Sequence, residues 1–142
     1  PYFNLALAYE REDRFEEAAA SYRHAIERSP YHYRSQFNLG RLYGKLGRAQ
    51  QQQEMWEEAL QSNPRFVMGY YQLAKLLMDQ GRDLDRGEKL VREGLELDPE
   101  GTMSSFGYVV LADILSRKGR SREALEAVGS GRRLQAGAAP PR

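Results

Sequence analysis

The chain has 142 residues, with 21 Lys+Arg against 20 Asp+Glu, two His and no Cys. At that length a single domain buries ~70% of the surface its unfolded chain exposes, so stability needs neither disulfides nor metals. A formal charge of +1 argues against a partner held mainly by charge, such as DNA or a membrane surface. The lack of cysteine excludes disulfide frameworks, thiolate zinc sites and cysteine nucleophiles, and leaves the compartment open. No apolar run approaches the ~20 residues of a bilayer-spanning helix, so membrane insertion is not expected. The sequence starts at Pro1 with no signal-like segment, which reads as a piece cut from a longer chain along with any targeting segment; a soluble protein is expected, its compartment unassigned with the cytoplasm favoured.

The first predicted helix carries Tyr2, Leu5, Ala6 and Tyr9 at i, i+3, i+4 and i+7, one stripe of an amphipathic helix. Asp13 can take the left-handed conformation that ends it. A second helix carries Ala18, Tyr22 and Ala25, and stops at Ser29-Pro30, because the residue before proline is pushed out of the helical region. Then the scheme repeats. Leu39-Gly40, Tyr43, Gly47, Trp56, Ala59 and Asn63-Pro64 stand at 34-residue offsets from the first set. Leu73-Ala74, Leu77, Gly81, Gly94 and Asp98-Pro99 form a third set, and Leu111-Ala112, Gly119, Ala124 and Gly131 a fourth. One extra residue falls in the turn Gly81 to Leu84, and three more in the Gly101 to Ser105 connection. Insertions in turns leave the packing faces intact, so the fourth unit is expected to stack.

A fixed period of this kind is the mark of a repeat architecture. These residues resemble the tetratricopeptide repeat (TPR) family, whose pattern runs Trp/Tyr, Leu-Gly/Ala, Tyr, Ala, Phe/Tyr, Ala and Pro across 34 positions. The first unit matches throughout at Tyr2, Leu5-Ala6, Tyr9, Ala18, Tyr22, Ala25 and Pro30. The second departs at Gln52, the third at Leu77, Gly87 and Val91, the fourth at Val128 and Gly131. The resemblance implies an all-α fold, a right-handed α-solenoid of four stacked antiparallel helix pairs forming a TPR superhelix. The array is expected over residues 1–138, in units of about 1–32, 33–66, 67–101 and 105–138, with 139–142 a disordered tail or linker stump.

No catalytic constellation is visible, and the chain is expected not to be an enzyme. His24 and His32 lack a further ligand at metal-binding spacing, so no cofactor or metal is expected. Glu16-Glu17 and Glu57-Glu58 are expected to open second helices, where they would complement the helix macrodipole. In the resembled family, function lies on the concave face lined by the first helix of each unit. That places Asn4, Asn38 and Gln72 in an amide ladder, able to pair with the N–H and C=O of an extended peptide without reading its sequence. Phe37 and Tyr71 would add apolar contact. Arg34, Arg41 and Lys75, with Lys45 nearby, would make the centre basic and favour an acidic segment or a peptide carboxylate. The carboxylate clamp of chaperone-tail binders is not matched: only Asn38 agrees.

The expected function is therefore a protein–protein interaction scaffold binding an extended or helical peptide segment in its groove. Two alternatives stand beside it: self-assembly into homo-oligomers through uncapped end faces, and an accessory, partner-recruiting segment of a larger enzyme. A nucleic-acid partner is not expected, since no basic stripe is present.

Overall fold

The computed structural model describes residues 1–137. It divides into two compact units, Pro1–Pro64 and a second that begins at Arg65. The first holds α1 (Tyr2–Arg11), α2 (Phe15–Arg28), α3 (Tyr33–Lys45) and α4 (Ala49–Ser62). The second holds α5 (Val67–Asp79), α6 (Leu84–Leu97), α7 (Ser104–Arg117) and α8 (Ser121–Ala136). Among the described residues there is no strand. The expected tail at 139–142 lies outside the described residues.

The turns inside the pairs are built from one device. Asp13, Gly47, Gly81 and Gly119 have φ of 57°, 75°, 64° and 77°. In each case the next N–H reaches back to a carbonyl in the last helical turn. Arg14 donates to Tyr9, Arg48 to Tyr43, Arg82 to Leu77 and Arg120 to Leu115, at 2.8–3.0 Å. This is the Schellman closure, and it needs a residue that tolerates the left-handed region. The inserted residue of the third turn is absorbed by a second left-handed position, Asp83 at φ 49°. Its carboxylate accepts the Arg86 N–H at 3.2 Å and caps α6. Glu16 and Glu17 stand in the first turn of α2 as expected, but Glu57 and Glu58 lie in the latter half of α4, whose first turn holds no acidic residue. Second helices end differently. Ser29, Asn63 and Asp98, each before a proline, sit at φ −137°, −140° and −149° with ψ of 76–90°.

In the first unit, Ala6, Ala18, Ala19 and Tyr22 join Leu39, Leu42 and Tyr43 in one apolar cluster. Small residues meet large ones. A Cβ on Gly40 would lie 2.5 Å from Trp56 Cδ1, so the glycine is what admits the indole. Trp56 Nε1 then donates to the Phe37 carbonyl at 2.9 Å, leaving no buried donor unpaired in the ring. In the second unit the largest fully buried side chains are Tyr71, Leu73, Leu77, Ile114 and Leu115. Each such aliphatic side chain contributes ~1.5–3 kcal/mol over its exposed state.

A charged tie closes the second unit from outside. Glu88 on α6 accepts from Lys118 Nζ at 2.7 Å, Arg120 Nη1 at 2.7 Å and Arg92 Nε at 2.9 Å. Burial pushes this carboxyl up, but the hydrogen bonds from Lys118 and Arg92 and the charges of Lys118 and Arg120 outweigh it and hold it down at about 2.

Candidate protein-interaction face

First helices α1 and α3 share a face of the first unit, because a side chain of one reaches the other. Arg41 Nη2 on α3 donates to both Oε1 and Oε2 of Glu10 on α1, at 2.9 Å each. The Tyr22 hydroxyl of α2 donates to the same carboxylate. Burial and the Glu10 charge push that hydroxyl well above its ordinary range. The Asn38 amide lies within hydrogen-bonding reach of it too. Glu10 is thus enclosed, with its side chain 11% exposed, while Arg41 remains 37% exposed.

Around this centre the expected residues take distinct positions. Asn4 and Arg34 are exposed, and Asn38 is half-buried. Phe37 is half-buried, stacked on Trp56 with ring centroids 5.2 Å apart and planes 16° from parallel. One face of its ring is therefore committed to α4. In the second unit, Gln72 is half-buried and its amide leans on Met68 Sδ at 3.7 Å. Lys75 Nζ pairs with Asp79 one turn on, at 2.6 Å. Tyr71 departs from expectation. It is fully buried, and its hydroxyl bonds Ser104 Oγ at 2.9 Å. Gly94 and Gly107 make the room: a Cβ on either would come within 2.6 Å of the ring. Tyr71 is therefore core and has no surface to offer a partner.

Two of the cations expected to make a basic centre are thus ion-paired inside their own unit, Arg41 with Glu10 and Lys75 with Asp79. Lys45 sits over the Phe15 ring at 5.3 Å. The enclosed role of Glu10 was not read from the sequence, although a signal exists. Glu10 and Arg41 are 31 residues apart, so in the repeat frame Arg41 falls one helical turn before Glu10 on the adjacent first helix. The histidines have local partners: His32 Nδ1 meets Ser35 Oγ at 2.6 Å, and His24 Nδ1 lies 3.5 Å from Glu27. Among the described residues no helix is long and apolar enough to cross a membrane.

Helix pairs closed by left-handed turns and joined at extended pre-proline residues define a class, the helical-hairpin repeat scaffolds. The tetratricopeptide repeat model matches residues 1–32 and 33–66. The structure superposes on a crystal structure of MamA with a TM-score of 0.85 at 14% identity, covering 96% of this chain and 78% of that one. The chain belongs to the tetratricopeptide repeat family, a family whose repeats generally mediate protein–protein interaction. Among curated proteins it is similar to the human protein O-mannosyl-transferase TMTC2, 30% identical over 100 residues, 68% of this chain and 12% of that protein. It is also similar to the tetratricopeptide repeat and J domain-containing co-chaperone DNJ1 of Cryptococcus neoformans. That match is 34% identical over 70 residues, 49% of this chain and 13% of that protein. The chain thus spans a small fraction of the length of the curated relatives it matches.

Proposed function

We propose that the chain is an interaction module that holds an extended segment of a protein partner against the first-helix face of a unit, and does not itself catalyse. The observation carrying this reading is the α1/α3 face of the first unit. There half-buried Asn38 reaches the Tyr22 hydroxyl beside the Glu10–Arg41 pair, and exposed Asn4 on α1 and exposed Arg34 on α3 stand on the same two helices. An amide offers a donor and an acceptor to a peptide backbone at once. Gln72 plays the same part on α5 of the second unit. The name of one relative, a co-chaperone, fits a module that works on other proteins. The transferase names of others support the companion reading, that the segment recruits protein for a larger enzyme.

Selection of binders from a random-peptide display library tests the proposal. Asn4→Ala with Asn38→Ala is expected to weaken the selected peptides at least tenfold, with helical content by circular dichroism unchanged. Equal affinity in wild type and variant sinks the reading.

A further inference from the structure

The Glu10–Arg41 pair sits in the middle of the proposed face, and its geometry bears on what the face accepts. Arg41 keeps 37% of its side chain exposed, yet one of its terminal nitrogens is spent on both oxygens of a carboxylate that is itself 11% exposed. That carboxylate is fixed a second time by the Tyr22 hydroxyl from α2. Three helices therefore hold an acid against the one cation at the centre of the face. An acidic residue of a partner that approached Arg41 would have to displace a group already aligned and tethered. Tethering makes the resident group's effective concentration high and its ordering cost already met. Of the other cations expected here, Arg34 is exposed at the start of α3, where solvent and salt screen it, and Lys45 lies over the Phe15 ring.

We infer that Glu10 is a specificity-determining residue: a built-in carboxylate that occupies Arg41 and turns the face from acid-binding to one selecting uncharged partner segments. This deepens the interaction reading above and rests on it. The device works by blocking the wrong partner as much as by attracting the right one. Removing the charge of Glu10 while keeping its shape frees Arg41 for a partner carboxylate. Removing the charge of Arg41 leaves a carboxylate facing the partner instead.

Random 12-residue peptide display against the whole chain tests this with three variants. Wild type is expected to select peptides with no enrichment of Asp and Glu over the naive library. Glu10→Gln, which retains an acceptor for Tyr22, is expected to select a pool at least threefold enriched in Asp and Glu. Arg41→Gln is expected to shift the pool toward Lys and Arg. Glu10→Gln combined with Arg41→Gln is expected to return it to the wild-type composition. If Glu10→Gln does not fold, the Arg41→Gln arm decides alone. A wild-type pool already rich in acids, or pools that do not move in either single variant, overturns the inference while leaving the interaction reading intact. Failure of folded wild type to select any peptide over its heat-unfolded form overturns both.

Discussion

Gly94 and Gly129 both stand inside second helices, and periodicity treats them alike: each weakens a helix by ~1 kcal/mol relative to Ala. Their surroundings separate them. A Cβ at Gly94 would meet the Tyr71 ring at 2.6 Å, and a Cβ at Gly107 would meet the same ring at 2.6 Å. At Gly129 the nearest atom is the mobile tip of Arg133, 3.4 Å away. Gly94→Ala is therefore expected to destabilise by ~1–3 kcal/mol through overpacking, and Gly129→Ala to stabilise by ~0.5–1 kcal/mol. Urea midpoints at constant slope check both. Gly94 and Gly107 together explain why Tyr71, expected on the partner-binding face, is core instead. Phe37 and Tyr71 hold equivalent repeat positions, but Phe37 lies against Trp56 with part of its surface open, while Tyr71 sinks into a gap left by two missing side chains.

Among helices, the tie around Glu88 gives the second unit a pH response with a definite sign. Its folded carboxyl, at about 2, lies below the ordinary value of 4.5. The stabilisation is present above pH 4.5 and is lost as pH falls toward 2, because the unfolded state takes up the proton first. The contribution is on the order of 3 kcal/mol, reduced in practice by the exposure of Arg92, 48% at its side chain. The difference between wild type and Glu88→Gln in unfolding free energy should therefore be largest near pH 6 and shrink steadily below pH 4.5. A difference that does not change between pH 6 and pH 3 contradicts this account. Nothing in the periodicity pointed to Glu88. The Glu sits where α6 faces the turn before α8, and the cations Lys118 and Arg120 that hold it are 30 and 32 residues away in the chain.

For the whole chain, the composition balance of +1 turns out to be a local balance as well. On the proposed face Arg41 is matched by Glu10, and on α5 Lys75 is matched by Asp79. Peptide binding should then depend little on salt, since few unpaired charges are left to be screened. The dissociation constant of a selected neutral peptide is expected to change less than ~3-fold between 50 and 500 mM NaCl. Glu10→Gln should make acidic peptides markedly salt-sensitive. Isothermal titration at several ionic strengths measures both, and a wild-type affinity that collapses with salt would assign binding to a cation the pairing leaves free.

The helix pairs, the turns at Asp13, Gly47, Gly81 and Gly119, and the breaks before Pro30, Pro64 and Pro99 were all legible in the sequence. The reason is local: a left-handed residue and a pre-proline residue carry their conformational preferences with them, and a 34-residue period repeats each one. Tertiary structure alone decided which way an aromatic of a given repeat position turns, and which charges cancel. Both depend on atoms contributed by other helices, a missing Cβ at Gly94 or a carboxylate at Glu10. Those contributions differ from repeat to repeat even where the period does not.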